Sequence, residues 1–243
     1  MPKLTIENLK VIYNNKKGQE ITALDGFSCV FEDGSLNVIV GFSGCGKTTL
    51  LRTILGFVDY EGKIFFDNID ASELSTQERN VSYVSQEYVL YPHLTIFDNI
   101  ASPLKIAKAP KEEIKERVKA VAQYLGIEHC LTRKPRHLSG GQQQKVALAR
   151  AIVKRSQLYL FDEPLSNYDK QGRSEAKLMI RKFIKENNVT ALYVTHDFQE
   201  AMTLADNIVV MNEGKVIACG SPKEIYESNN PIVKQLKWGV SDE

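Results

Sequence analysis

Several features that mark particular classes of protein are missing from this 243-residue sequence. No apolar run approaches the roughly 18 residues that span a bilayer, and the first residues lack the basic start and apolar stretch of a signal peptide. Neither sign of charge is in excess, because 31 basic and 30 acidic residues leave a net charge of +1. We therefore expect the chain to stay in the cytosol, with no nucleic acid as its partner.

Cysteine is also scarce. The four cysteines are Cys29, Cys45, Cys130 and Cys219, and no two of them form a C-x-x-C pair. This spacing predicts neither a zinc site nor a disulfide framework, so reduced thiols are expected. Cys45 alone has a functional interpretation, because it lies near the predicted N-terminus of a helix, a position that would lower its pKa and make it reactive to alkylation.

Short apolar segments predict strands in two parts of the chain. Near the start, separated by turn signals, they cover residues 4–6, 27–31 and 36–40. Later they cover residues 158–161, 190–195 and 207–211, alternating with helical segments. The later runs are nearly continuous, which is typical of strands buried on both faces of a parallel sheet. The predicted fold class is therefore α/β, with a small β-rich opening.

The middle of the chain has a helical pattern instead. Ile114, Val118, Val121 and Leu125 recur at helical spacing, with Lys and Glu at the positions between them. We expect residues 90–155 to form a mostly helical lobe inserted into an α/β core made by residues 1–89 and 156–243, all within a single domain.

One local motif is highly specific. The segment GFSGCGKTT follows the apolar run 36–40 and precedes a helix-favouring LLRTIL, which gives the order strand, glycine turn, helix. It fits G-x-x-x-x-G-K-[ST], in which backbone N–H groups surround phosphates, the lysine reaches the terminal phosphates and the hydroxyl binds Mg²⁺. The predicted nucleotide-binding residues are Gly41, Phe42, Ser43, Gly44, Cys45, Gly46, Lys47, Thr48 and Thr49. Kinases, small GTPases, helicases and transport ATPases all carry this loop.

A second motif, LSGGQ, begins a predicted amphipathic helix. Ser139 suits the N-cap, and Gly140 and Gly141 allow a close approach of backbone N–H groups to an anion. The helix dipole would favour a phosphate there, next to Gln142. Taken alone, Ser-Gly-Gly is more often only a turn.

Two adjacent carboxylates end the buried strand at 158–161. Burying Asp162 and Glu163 is costly unless they manage a cation or a proton. Asp162 is well placed to hold Mg²⁺ together with Thr48, and Glu163 to polarise an attacking water. The alternative is that both acids cap a helix that follows Pro164.

Further motifs appear in the order typical of one family. They are Tyr13, Gln86, the run Ser166-Asn167-Tyr168-Asp169 and the histidine of Tyr-Val-Thr-His196-Asp. Together with the phosphate loop, LSGGQ and the acidic strand end, they make nearly the whole chain resemble the nucleotide-binding subunit of an ATP-binding-cassette transporter. The resemblance implies an α/β fold with a P-loop NTPase core, an N-terminal antiparallel β subdomain and an inserted α-helical subdomain.

The same resemblance implies roles for these residues. Tyr13 is implied to stack on adenine; the alternative is a packing role at the end of a strand. Gln86 is implied to reach Mg²⁺ or the attacking water. His196 is implied to contact the γ-phosphate. The implied catalytic residues are Glu163, His196 and Gln86, and the implied metal ligands are Thr48, Gln86 and Asp162. Ser139, Gly140, Gly141, Gln142 and Asp169 are implied to serve nucleotide across a head-to-tail pair of cassettes. ATP and Mg²⁺ are the implied cofactors.

The segment 79–104 resembles the corresponding segment of importers for sugars and, more loosely, of those for polyamines and iron, and Tyr-Pro-His-Leu-Thr at 91–95 within it favours sugars. Expected partners are a second cassette subunit, transmembrane permease subunits and, indirectly, a solute-binding protein, at the cytoplasmic face of the membrane. Phe42, Ser85 and Tyr168 depart from the usual residues, and no β-rich regulatory domain is expected after Trp238. The expected function is an ATPase that energises import of a sugar or similar small solute. The alternatives are an exporter subunit or a soluble cassette ATPase outside transport.

Overall fold

The computed structural model describes residues 2–14, 18–86, 89–166 and 170–239, without the side chains of residues 170 and 171. The strands are β1 (Leu4–Asn14), β2 (Glu20–Phe31), β3 (Leu36–Val40), β4 (Glu61–Phe66), β5 (Ile69–Asp70), β6 (Val81–Val84), β7 (Leu158–Asp162), β8 (Thr190–Thr195), β9 (Asn207–Asn212) and β10 (Lys215–Gly220). The α-helices are α1 (Lys47–Leu55), α2 (Ile96–Ile106), α3 (Lys111–Tyr124), α4 (Gly140–Ile152), α5 (Lys170–Asn187), α6 (Phe198–Leu204), α7 (Pro222–Glu227) and α8 (Pro231–Trp238).

Two sheets organise the described part of the chain. An antiparallel sheet has the order β2-β1-β4-β5. The main sheet has the order β10-β9-β3-β8-β7-β6, and its strands from β9 to β6 are parallel, while β10 is antiparallel to β9. Every residue of β3, β7 and β8 is buried, as expected for parallel strands covered on both faces. The fold is therefore α/β with an antiparallel β subdomain.

Helix α1 fills the space between the two sheets. Its Leu50, Leu51 and Ile54 are fully buried in a cluster that contains β1 and β2 residues on one side and Leu160 and Leu192 on the other. Burial of one such side chain contributes about 1.5–3 kcal/mol. This packing fixes α1, and the loop that precedes it, against the main sheet.

Helices α2, α3 and α4 lie between β6 and β7 in the chain. Apolar side chains of all three helices join the cluster that covers the opposite face of the main sheet, among them Ile100, Val118 and Val146. Ser139 caps α4 in a reciprocal capping box with Gln142, because its hydroxyl accepts from the Gln142 N–H while the Gln142 amide oxygen accepts from the Ser139 N–H.

The strands predicted from sequence are all present. The predicted runs 36–40 and 190–195 coincide with β3 and β8, whereas 4–6 and 27–31 are parts of the longer β1 and β2. Strand pairing brings the ends of β3, β7 and β8 together, because Val40 is opposite Thr195 and Asp162 is opposite Val194. The segments that follow these strands therefore meet at one edge of the sheet.

Candidate functional site

The loop after β3 takes a conformation that requires glycine. Gly46 has φ of 106°, and a Cβ there would collide with the carbonyl oxygen of Ala23 in β2. A Cβ on Gly41 would likewise collide with the carbonyl oxygen of Met211 in β9. The loop is thus held close to two strands, and α1 begins directly after it at Lys47.

The Lys47 side chain turns back over this loop. Its Nζ donates to the carbonyl oxygens of Gly41 and Phe42, both at 2.8 Å, and lies 3.9 Å from Cys45 Sγ. Lys47 is only 6% exposed, so the ammonium is held inside the loop. A lysine ammonium held over a glycine loop at the start of a helix suits a phosphate chain placed against the loop.

A hydroxyl and a carboxylate meet beside the loop. Thr48 Oγ1 donates to Asp162 Oδ1 at 3.1 Å, and the Tyr83 hydroxyl donates to Asp162 Oδ2 at 2.8 Å. Burial raises the pKa of the Asp162 carboxyl, and the hydrogen bonds from Tyr83 and Thr48 oppose that rise. Burial and the nearby Asp162 charge also raise the pKa of Tyr83, so the phenol stays a hydrogen-bond donor.

The second acid, Glu163, faces a different partner. Its Oε2 lies 3.1 Å from His196 Nδ1, and its backbone N–H donates to the carbonyl oxygen of Val194 in β8. The Glu163 backbone has φ of 45°, a left-handed conformation that is strained for a residue with a Cβ. Residues 164–166 form a turn, and the next helix, α5, begins at Lys170, so Asp162 and Glu163 are too far from its start to cap the helix that follows Pro164.

Most of the predicted site residues line one cleft of about 520 Å³. The predicted residues on its wall are Tyr13, Ser43, Gly44, Gly46, Lys47, Thr48, Thr49, Gln86, Glu163 and His196. Gln86 and His196 are exposed, and Tyr13 is 37% exposed, so these three side chains are accessible to a ligand. The cleft therefore combines an aromatic ring, a cation, hydroxyls, an amide, a carboxylate and an imidazole.

The remaining predicted residues lie elsewhere. Gly41 and Phe42 contribute carbonyl oxygens to Lys47 behind the cleft, and Asp162 is buried behind Thr48. Asp169 lies outside the described residues. Ser139, Gly140, Gly141 and Gln142 are not on the wall of this cleft, and Ser139, Gly141 and Gln142 border a separate depression of about 620 Å³.

The expectation of a reactive Cys45 is wrong. The four cysteines are free thiols, but burial raises the pKa of Cys45, and the neighbouring Lys47 charge only partly offsets this rise. Cys45 is 6% exposed, so its thiol is also shielded from reagents. Its position near a helix start was predicted correctly. The burial that determines the direction of its pKa shift was not predictable from the local sequence.

Several residues of the site carried no sequence signal. Ile21, Thr22 and Ala23 of β2 line the cleft opposite the loop, although β2 belongs to the antiparallel sheet. Tyr83 touches Asp162 from the neighbouring strand. A motif search along the chain does not find such residues, because strand pairing and not sequence proximity brings them to the site.

The donor set fits Mg²⁺. The described part of the chain contains no cluster of three or more His, Cys, Asp or Glu side chains able to hold a metal ion. Mg²⁺ does not need such a cluster, because proteins usually bind it through one or two carboxylates together with substrate phosphates and water. Asp162 Oδ1 and Thr48 Oγ1 are two hard oxygen atoms 3.1 Å apart, the atom type that Mg²⁺ prefers.

Comparison with known families identifies the arrangement. A family described as ABC transporter matches residues 24–166, a range that contains the loop after β3, the start of α4 and both acids at the end of β7. The chain belongs to the ABC transporter family.

Individual cassettes are also similar to this chain. It is 45% identical over 229 residues to the sn-glycerol-3-phosphate import ATP-binding protein UgpC of Psychromonas ingrahamii, covering 94% of the chain and 60% of that protein. It is 46% identical over 215 residues to the trehalose/maltose import ATP-binding protein MalK of Thermococcus litoralis, covering 86% of the chain and 58% of that protein. The cassette thus spans about 60% of the length of these curated relatives.

A solved structure shares the cassette fold. The ATP-binding cassette MJ0796, determined as a dimer in a post-hydrolysis state with bound ADP and Pi, superposes with a TM-score of 0.81 at 28% identity. The match covers 90% of this chain and 98% of that one.

Among the residues that the structure places, no helix is both long enough and apolar enough to cross a bilayer.

Proposed function

We propose that this chain is an ATP-hydrolysing subunit that energises a membrane importer. The observation that carries the proposal is the cleft in which Lys47, Thr48, Glu163 and His196 meet, with Asp162 directly behind Thr48. The relatives named as import ATP-binding proteins support it. ATP and Mg²⁺ are the ligands we assign to this cleft.

The nucleotide would lie with its phosphates on the loop after β3. Lys47 exchanges its bonds to the Gly41 and Phe42 carbonyls for bonds to the terminal phosphates, which are the stronger acceptors. Tyr13 offers an exposed ring for the adenine. Thr48 and Asp162 would hold Mg²⁺, which when bound neutralises charge on the phosphates.

Glu163 is the proposed general base. Its carboxylate accepts a proton from the attacking water, a contribution worth roughly 10²–10⁴ in rate. His196, 3.1 Å from Glu163 Oε2, orients that carboxylate and contacts the γ-phosphate. Gln86 lines the same cleft from the segment after β6 and positions the water or the Mg²⁺.

We propose that two chains act together. Ser139, Gly140 and Gly141 are exposed at the start of α4 and away from the chain's own cleft, so they are available to the nucleotide held by a second cassette. The dimeric cassette bound to ADP and Pi is a precedent for this assembly. Asp169, which is outside the described residues, keeps its predicted role at the same interface.

We assign the transported molecule to sugars and similar small solutes. The support comes from two relatives, one named for trehalose and maltose import and the other for sn-glycerol-3-phosphate import. The partners would be transmembrane permease subunits and, indirectly, a solute-binding protein. The chain would then be peripheral at the cytoplasmic face of the membrane, with the exposed Val89 and Tyr91, just after Gln86, near the permease.

We also retain the predicted division of the domain. Residues 90–155 would act as a helical subdomain that carries the LSGGQ motif, and residues 1–89 and 156–243 as the core that carries the cleft. Helices α2, α3 and α4, which all lie within 90–155, support this division.

Replacement of Lys47 tests the nucleotide site. Lys47→Ala should weaken ATP binding measured by calorimetry in Mg²⁺ by about a hundredfold, because it removes a charge-assisted contact worth about 3 kcal/mol. Lys115→Ala, at an exposed position on α3, is the matched control and should bind like the wild type. Unchanged ATP affinity in Lys47→Ala would reject the site.

A further inference from the structure

The carboxylate of Asp162 is held from two sides by different elements. Oδ1 accepts from the Thr48 hydroxyl at the start of α1, and Oδ2 accepts from the Tyr83 hydroxyl on β6. Asp162 is 4% exposed, so water has little access to either oxygen. Each oxygen therefore has one specific protein donor.

Strand pairing explains why Tyr83 reaches this carboxylate. In the parallel pair of β6 and β7, Tyr83 is opposite Leu160, and Asp162 is two residues further along β7 on the same face. The Tyr83 ring packs against the apolar cluster around α1, and its hydroxyl extends past that cluster to Oδ2. Packing of the ring therefore holds the phenol oxygen within hydrogen-bond distance of Oδ2.

We propose that Tyr83 is a positioning residue for Mg²⁺, acting through Asp162. The inference rests on the proposed function, in which Asp162 and Thr48 bind the ion. Rotation about the last bond of an aspartate side chain is broad and nearly two-fold, so an unsupported carboxylate samples many orientations. By holding Oδ2 at 2.8 Å, Tyr83 keeps Oδ1 directed at Thr48, where a cation shared with the phosphates would lie.

This role differs from a purely structural one in a measurable way. Loss of a hydrogen-bonding partner of a metal ligand typically weakens metal affinity by 10–100-fold. Tyr83→Phe keeps the ring and its packing and removes only the hydroxyl. The variant should therefore weaken nucleotide binding in Mg²⁺ and leave metal-free binding as it is.

The test compares nucleotide affinity with and without the metal. Binding of a non-hydrolysable ATP analogue to the full chain is measured by calorimetry in Mg²⁺ and in EDTA, and the ratio of the two affinities gives the gain due to Mg²⁺. For Tyr83→Phe we expect this gain to fall by about tenfold, with the affinity in EDTA unchanged within about twofold.

Tyr159→Phe is the matched control. It removes a buried hydroxyl of the same sheet that donates to the Lys154 carbonyl and not to Asp162, so its Mg²⁺ gain should equal that of the wild type. If Tyr83→Phe has the same Mg²⁺ gain as the wild type, or loses nucleotide affinity equally with and without Mg²⁺, the inference about Tyr83 is overturned. The proposed function is not affected by either result. If Mg²⁺ does not increase the nucleotide affinity of the wild type, both the inference and the proposed function are rejected.

Discussion

Asp162 and Glu163 are neighbours in the chain, yet they have separate surroundings. Asp162 points back toward α1 and receives two hydroxyl donors, whereas Glu163 leaves the strand with a positive φ and faces His196 across the edge of the sheet. In the proposed function, this change of backbone conformation between the two residues directs Asp162 to the metal and Glu163 to the attacking water. The strain at Glu163 is the local cost of this separation.

The residue types of the site were predictable, but their ionisation was not. The glycine loop, the two acids and the histidine are recognisable because each has a fixed place relative to a strand end. Cys45 shows the limit of such reasoning: the helix start lowers a thiol pKa, but burial raises it more. Burial depends on which strands cover the loop, and the local sequence does not contain that information.

The reactive thiol should be Cys219 instead. Cys219 is exposed on β10, and interaction with the neighbouring Cys29 thiol lowers its pKa to about 7. The thiolate is the form that is alkylated, so the iodoacetamide rate at Cys219 should be half-maximal near pH 7 and increase above it. Mass spectrometry of labelled peptides over a pH series measures this rate residue by residue.

Cys29→Ala provides the control for the thiol prediction. Without the Cys29 thiol, the midpoint of the pH dependence for Cys219 should move up toward the ordinary thiol pKa of about 8.5. Cys45, which is buried, should label slowly throughout. A Cys219 midpoint near 8.5 in the wild type, or one that is the same in Cys29→Ala, would contradict the assignment.

Among the elements, α1 depends on a contact that no motif indicates. The Arg79 guanidinium is 6% exposed and donates to the carbonyl oxygens of Thr53 and Ile54 at the C-terminus of α1, and also to that of Ala71. A cation at this end of a helix is favoured by the helix dipole, and Arg79 is the donor to the Ile54 carbonyl, whereas the Thr53 carbonyl also accepts from the Gly56 N–H at 2.9 Å. Arg79 thereby holds the helix whose first residues are Lys47 and Thr48.

Removal of this cap should destabilise the protein measurably. Arg79→Leu removes the printed donor of the Ile54 carbonyl oxygen and the second donor of the Thr53 and Ala71 carbonyl oxygens, which still accept from the N–H groups of Gly56 and Leu74. We expect the free energy of unfolding in urea to fall by about 3 kcal/mol, because three buried hydrogen bonds to a charged donor are lost. Arg136→Leu, at an exposed position, is the control and should change it by less than about 0.5 kcal/mol. A loss below about 1 kcal/mol in Arg79→Leu would show that water replaces the guanidinium.

Strand β6 illustrates why some elements escaped prediction. Ser82 interrupts the apolar pattern of this strand. The residue is nevertheless buried, because its hydroxyl bonds the Ala151 carbonyl at 2.8 Å and the Ser156 hydroxyl at 2.7 Å. Both partners follow from tertiary packing and are about 70 residues away in the chain. By contrast, β3 and β8 are uniformly apolar, and sequence alone placed their ends correctly.

At the scale of the whole molecule, the cleft and the LSGGQ motif are on different parts of the surface. The cleft is at the edge of the sheet where β3, β7 and β8 end, while Ser139 and its glycines begin a helix of the segment between β6 and β7. In the proposed function, these two regions are halves of a nucleotide site that one chain does not close on itself. A second copy, arranged head to tail, would complete both sites.

The mass of the Glu163→Gln variant with different nucleotides tests this account most directly. The substitution keeps the shape of the side chain but removes its charge and basicity, so ATP should bring two chains together without being hydrolysed. Light scattering during size exclusion distinguishes the 27.4 kDa monomer from a dimer of twice that mass. A second variant, Glu163→Gln with Ser139→Arg, places a large cation in the proposed interface and is the control.

We predict a dimer of Glu163→Gln with ATP and Mg²⁺, a monomer with ADP, and a monomer with either nucleotide when Ser139→Arg is added. A mass of Glu163→Gln that is the same with ATP and ADP, or a dimer that persists in the double variant, would contradict the claim that two such chains enclose ATP between cleft and LSGGQ motif.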